Sequence, residues 1–194
     1  MNHIWANEYE AGVPATLSYP ESVLPELLAS AAARHADRPA IRFYGRSIRY
    51  RELDALANRF AHGLARLGVS HGDVVGLMLP NIPQVVIGYY GGLRAGAAIT
   101  AINPLYVQSE IEQQVKDSGC RVLLALDQFY PRLRALLGQG TLKHLILTRG
   151  QDYLPWLKRL LYPLKAGRQG TVPPSSEEGR HWLSSLLGKQ VGPP

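Results

Sequence analysis

The chain has 194 residues, of which 46% are hydrophobic, and it carries a formal net charge of +6. This length fits one globular domain with a real core, and the single cysteine, Cys120, excludes an internal disulfide framework. The sequence shows neither a membrane-length apolar run nor a secretory signal, so we expect a cytoplasmic protein.

The positive charge is concentrated toward the end of the chain. Residues 1–148 contain 14 Lys/Arg and 12 Asp/Glu, whereas residues 149–194 contain 7 and 3. This nearly balanced body argues against nucleic-acid binding, which needs a concentrated basic face. A partner attracted by positive charge is therefore expected at residues 149–194.

The first 50 residues predict an arm, a helix and a β-hairpin. Residues 1–21 lack hydrophobic periodicity and contain two prolines, as an extended arm would. Apolar residues then recur at helical spacing, with Ser22 placed to cap the helix. Two strand-like runs flank Gly45 and Arg46, which predict a two-residue type II′ turn.

Helices and strands alternate in the next hundred residues. A stripe of apolar residues with a 3.6-residue period predicts a helix over 51–67, and Gly68 ends it as a left-handed stop. Four short apolar runs predict strands at 74–79, 99–102, 121–126 and 143–148.

Single helices separate these strands. Asn81 is placed to cap a helix that ends near residue 94, and a capping box of Ser109 and Glu112 opens one that ends at Gly119. A third helix is predicted at 131–137. The crossovers predict an α/β fold over residues 22–148, with a mostly parallel sheet covered by helices on both faces.

A basic tail follows at residues 149–194, and we expect it to be incomplete. It contains apolar and basic residues with two prolines, then a Gly/Pro/Ser linker, then a short helix or turn at 181–187. Two hypotheses stay open for its first part: packing on further protein, or contact with an anionic membrane surface. The membrane contact would use Trp156, Lys158, Arg159 and Lys165.

Three motifs, in order, resemble the core motifs of the adenylate-forming (AMP-binding) enzymes. The first resemblance is carried by Tyr50, Glu52 and Leu53, the second by Met-Leu-Pro-Asn ending at Asn81, and the third by Gly96, Asn103 and Pro104. The continuation to Tyr106 resembles the acyl-CoA synthetase branch, and bacterial long-chain fatty acid–CoA ligases look most similar. Arg49 stands where the family usually has a capping Ser or Thr, so the helix cap must come from elsewhere.

The resemblance implies that residues 22–148 are the first subdomain of the family's large N-terminal domain. It implies ATP, Mg²⁺ and CoA for the complete enzyme, with a long-chain fatty acid as substrate and the rest of the ligase chain as partner. The family's phosphate loop and catalytic lysine have no counterpart among residues 1–194. No catalytic, cofactor-binding or metal-binding residue is therefore assigned, and we expect this segment to be an inactive scaffold.

Two other functions remain as alternatives: a stand-alone, non-catalytic module that binds lipid or a partner, and an unrelated nucleotide- or CoA-binding α/β protein. The glycines at 88–96 could suggest a dinucleotide loop, but they fall inside and at the end of a helix, which favours close packing.

Several smaller expectations complete the sequence interpretation. The six histidines show no metal-ligand spacing, and we expect surface or structural roles for them. Cys120 is expected to be a small buried hydrophobe, with a reactive thiol as the alternative. The arm could exchange between subunits, which would allow a homodimer.

Overall fold

The strands form a two-stranded hairpin and a parallel sheet. The computed structural model describes residues 4–155 and 177–188. An antiparallel hairpin pairs β1 (Pro39–Phe43) with β2 (Arg46–Arg49). Within the described residues the parallel sheet has the order β4-β3-β5-β6-β7, made of β3 (Val74–Met78), β4 (Ala98–Ala101), β5 (Cys120–Leu126), β6 (His144–Thr148) and β7 (Arg180–Trp182).

The helices connect and cover these strands. They are α1 (Leu24–His35), α2 (Tyr50–Arg66), α3 (Pro83–Arg94), α4 (Gln108–Asp117), α5 (Tyr130–Leu133) and α6 (Leu183–Leu187). Short 3₁₀ turns lie at Ile4–Glu8, Asp127–Phe129 and Arg134–Leu136. The helix predicted at 131–137 is therefore broken into α5 and two short turns. Among the described residues, no helix has the length and apolar character needed to cross a bilayer.

Each face of the sheet carries its own hydrophobic core. One core joins α1, α2, α3 and α6 to side chains such as Val122 and Leu124 of β5. The other joins α4 and α5 to Leu123 and Ala125 of the same strand. Because successive side chains of a strand point to opposite faces, β5 is apolar at every position from Val122 to Leu126. The predicted fold class, a mostly parallel sheet with helices on both faces, is confirmed.

The predicted strands match β3, β4, β5 and β6 to within about one residue at each end. The structure adds β7, which was not predicted from the sequence. Residues 180–187, which the sequence pattern placed in the tail, thus supply a strand and a helix to this sheet. Leu183 and Leu187 of α6 are almost fully buried, as is Tyr153 in the turn after β6.

The turn and cap predictions need correction. Tyr44 and Gly45 form the hairpin loop with φ values of 49° and 98°, which is typical of a type I′ turn rather than type II′. The N-caps of α1, α3 and α4 are Val23, Ile82 and Val107, not Ser22, Asn81 and Ser109. In α1 and α4 a first-turn carboxylate replaces the missing cap: Glu26 accepts from the Val23 amide, and Glu110 from the Val107 amide.

The glycines of α3 allow close packing, as the sequence indicated. A Cβ on Gly92 would lie 2.4 Å from Cδ1 of Ile99 in β4, and one on Gly88 would lie 2.8 Å from Cδ2 of Leu77 in β3. A Cβ on Gly91 would meet Phe60 of α2 at 2.7 Å. Side chains at these positions would push α3 away from the sheet and from α2.

Candidate functional site

The carboxyl ends of β3, β4, β5 and β6 lie along one edge of the sheet. Polar residues follow these strands: Asn81, Asn103, Asp127, and Thr148 with Arg149. Ligands of open α/β sheets usually bind outside this edge, because the strand ends and helix N-termini point their unpaired backbone groups there. We therefore take the carboxyl edge as the candidate site.

A buried hydrogen-bond network joins the start of α3 to the end of β6. The side-chain amide of Gln84 donates to the Thr148 hydroxyl at 3.2 Å and to the Arg149 carbonyl at 2.9 Å. Thr148 in turn donates to Asp152 at 3.2 Å, and the Arg149 amide donates to the same carboxylate oxygen at 3.0 Å. Gln84 and Thr148 are 0% and 1% exposed, so the bond between their side chains forms away from water and helps to hold the strand end.

Arg149 leaves this network toward solvent. Its guanidinium lies 4.8 Å from the centre of the Trp182 ring, and its Nε is 3.9 Å from an oxygen of Asp127. Burial raises the pKa of Asp127, while the Gln128 amide and the Arg149 charge oppose that shift. The arrangement orients a guanidinium, a group suited to binding carboxylate or phosphate, but it contains no activated nucleophile.

The first family motif lies at the start of α2. Tyr50 and Glu52 are half-buried in the first turn, and Leu53 is in the core. Arg49 is the N-cap and makes no side-chain cap. The Tyr50 amide instead donates to the Arg38 carbonyl at 3.1 Å. The N-terminus of α2, which lacks a side-chain cap, is thus capped by the backbone that follows α1.

The other motif residues lie at turns. Gly96 ends α3 with a φ of 81° and passes so close to His71 that a side chain would crowd the backbone there. Asn103 accepts a hydrogen bond from the Leu105 amide at 3.0 Å and so closes the turn containing Pro104. Asn81 is exposed and, like Asn103, follows a strand at the carboxyl edge, whereas Gly96 precedes β4 at the opposite edge. The sequence predicts a structural role for these residues, and that role stays a prediction.

Geometry also bears on the alternative that the sequence left open for Cys120, a reactive thiol. Cys120 is fully buried, and burial raises the pKa of its thiol to about 12, so it cannot supply a thiolate near neutral pH. In the described ranges, 4–155 and 177–188, no group of three or more His, Cys, Asp and Glu residues could hold a metal ion. The proposed membrane-contact residues Trp156, Lys158, Arg159 and Lys165 lie outside the described residues.

Gln84, Asp127, Thr148, Arg149 and Asp152 were not predicted as site residues. Part of the signal was present, since Asp127 comes directly after an apolar strand and Thr148 is the last residue of another. The bonds of Gln84 span more than 60 positions and left no pattern in the sequence.

Comparisons with known proteins agree with this geometry. The family model described as "AMP-binding enzyme" matches residues 28–178. The chain is 38% identical over 186 residues to a long-chain-fatty-acid–CoA ligase of Bacillus subtilis, covering 96% of this chain and 33% of that protein. It is 37% identical over 161 residues to the corresponding ligase of Salmonella typhimurium, covering 81% and 28%.

A solved structure is similar over the same region. The crystal structure of a long-chain-fatty-acid–CoA ligase from Archaeoglobus fulgidus has a TM-score of 0.63 and 25% identity, covering 73% of this chain and 30% of that one. The chain thus spans a third or less of the length of each of these relatives.

Proposed function

The chain belongs to the AMP-binding enzyme family, and from this we propose that it is the N-terminal part of a long-chain fatty acid–CoA ligase. The observation that carries the proposal is its identity to the Bacillus subtilis ligase along nearly its whole length. The complete enzyme would activate a fatty acid with ATP and Mg²⁺ and transfer the acyl group to CoA.

The connection from β3 to α3 does not fit the phosphates of ATP. A phosphate loop needs glycines between a strand and a helix, so that backbone amides converge on the anion. The connection from β3 to α3 instead reads Leu-Pro-Asn-Ile-Pro, and Pro83 removes an amide from the first turn of the helix. We assign this part of the enzyme a scaffolding role, in which the Gln84 network fixes the strand ends at the carboxyl edge.

A graft tests the proposal. The matching N-terminal third of the Bacillus subtilis ligase would be replaced by residues 1–194, and palmitoyl-CoA formation would be measured with ATP, CoA and palmitate. We expect the graft to be active, whereas residues 1–194 alone should show no turnover because the charge-stabilising groups for pyrophosphate release are absent.

The control is the same graft with Leu64→Asp, which disrupts the core and should abolish activity. A second graft, from the Salmonella typhimurium ligase, shows whether the junction itself is tolerated. If that graft is active and ours is folded but inactive, the chain is better described as a stand-alone binding module.

The proposal also covers the location and the assembly of the enzyme. We place the enzyme in the cytoplasm with peripheral membrane contact through Trp156, Lys158, Arg159 and Lys165, whose aromatic and basic character suits an anionic surface. A homodimer is proposed through the arm, because Ile4, Leu17 and Tyr19 are more than half exposed there and a second copy could cover them.

A further inference from the structure

Two histidines meet where β7 joins the sheet. His144 begins β6, His181 lies in β7, and the His144 Nδ1 is 3.2 Å from the His181 Nε2. Their ring centres are 5.2 Å apart. The register pairs His181 with Ile146, so His144 lies two residues away on the same face of the sheet. No spacing in the sequence indicates this contact.

The contact requires a particular protonation state. The backbone of Leu67, at the end of α2, favours a proton on the His144 ring. A hydrogen bond between His144 Nδ1 and His181 Nε2 needs a proton on one of these nitrogens and a lone pair on the other. One proton between the rings makes a hydrogen bond. A second proton would place two N–H groups against each other.

The surroundings disfavour a charge on either ring. Burial lowers the pKa of His144, and the charges of Arg121 on β5 and Lys143 before β6 act in the same direction, while the Leu67 hydrogen bond opposes them. Burial also lowers the pKa of His181, helped by His144 and by Arg180 on β7. Arg121 is itself paired with Asp73 at 2.9 Å, and Arg180 lies 3.7 Å from Glu177.

The pair fastens one end of a small unit, residues 177–188. The unit is held elsewhere by apolar packing of α6 on α2, where Leu186 lies over Gly63 and accepts a hydrogen bond from Arg66 at 3.3 Å. At its start, Glu177 accepts a hydrogen bond from Tyr130 at 2.6 Å. The unit is short and lies at the sheet edge, which are features of segments that open locally before the rest of a domain.

We propose that the His144–His181 contact is a pH-sensitive latch that keeps residues 177–188 docked on the sheet while the two rings share one proton. The sign follows from the lowered pKa values of the docked state. Docking is fully supported above about pH 6.5, the ordinary histidine pKa, and is weakened as the pH falls toward the docked-state values. Once the pH is below both the docked and the undocked pKa of a histidine, each unit by which docking lowers that pKa weakens docking about tenfold.

Hydrogen exchange on the 194-residue chain tests the latch. Amide protection would be measured from about pH 8 to about pH 5, with the intrinsic pH dependence of exchange removed. We expect protection at 180–187 to fall below about pH 6.5, while protection in β3 and β5 stays constant. A constant protection at 180–187 over this range, or a loss shared equally by the whole sheet, would overturn the proposal.

Variants separate the latch from ordinary acid sensitivity. His181→Gln keeps a hydrogen-bonding side chain that does not titrate, so protection at 180–187 should lose its pH dependence. His35→Gln, on the exposed surface of α1, should keep the original profile. An unchanged profile in His181→Gln contradicts the latch.

If the glutamine variant fails to dock at any pH, NMR titration of the two imidazoles in the unmodified chain decides. Values below about 6.5 for both rings support the latch, and ordinary or raised values overturn it.

Discussion

Gly91 of α3 lies where a side chain would collide with α2. A Cβ there would be 2.7 Å from Cδ1 of Phe60 and 2.8 Å from the Ala57 carbonyl oxygen. Alanine favours helix by about 1 kcal/mol over glycine, but overpacking a rigid contact costs about 1–3 kcal/mol. We therefore expect Gly91→Ala to lower the free energy of unfolding, as measured by urea denaturation.

Gly63 of α2 provides a comparison with Gly91. Its Cβ would be 2.9 Å from the Cβ of Leu186, which belongs to the short α6 rather than to a central helix. Since α6 can shift more easily than the backbone of α2, Gly63→Ala should cost less than Gly91→Ala. A larger loss at Gly63 would mean that α6 is held more rigidly than its size indicates.

At the scale of elements, α2 shows how an amphipathic pattern determines burial. Leu64 is 0% exposed, while its neighbour Ala65 lies on the solvent side. Leu64→Asp would bury an unpaired carboxylate, which costs several kcal/mol and approaches the stability of a whole domain. We expect loss of the cooperative thermal transition for Leu64→Asp and a near-native one for Ala65→Asp. Similar melting of the two variants would contradict the assigned face.

The individual helices and strands differ in how well they could be predicted from the sequence. The strands from β3 to β6 and the long helices were predicted because each has a local hydrophobic period that its own residues reveal. β7 has three residues, and its burial depends on pairing with β6 more than 30 positions earlier, so no local pattern marks it. The N-caps of α1 and α4 were misplaced by one or two residues because carboxylates in the first turn replace the missing cap side chains.

For the whole molecule, the contacts that we propose for the candidate site and for the latch join distant parts of the chain. The three family motifs were recognisable because each is a short continuous segment. The Gln84–Thr148 and His144–His181 contacts connect residues 64 and 37 positions apart, and only the folded sheet brings them together. The position of the candidate site at the carboxyl edge could therefore be anticipated from the strand ends. Its hydrogen-bond network could not.

The proposed peripheral membrane contact also concerns the whole molecule, and charge reversal tests it. Deleting residues 149–194 would be a poor test, since it removes β7, α6 and the buried Tyr153. Lys158→Glu with Arg159→Glu reverses the charge of two of the four residues proposed to make the contact. We expect co-sedimentation with phosphatidylglycerol vesicles to fall strongly in this variant, because basic residues near an anionic surface contribute about 1 kcal/mol each.

The matched control reverses two exposed basic residues elsewhere, Arg34→Glu with Lys116→Glu, and leaves the same net charge. This control should keep most of the binding if residues 156–165 make the contact. At about 1 M salt the Debye length is about 3 Å, so binding of the unmodified chain should nearly vanish. Equal losses in the two double variants would mean that overall charge attracts the chain to vesicles. In that case the first part of the tail is better explained as a surface that packs on further protein.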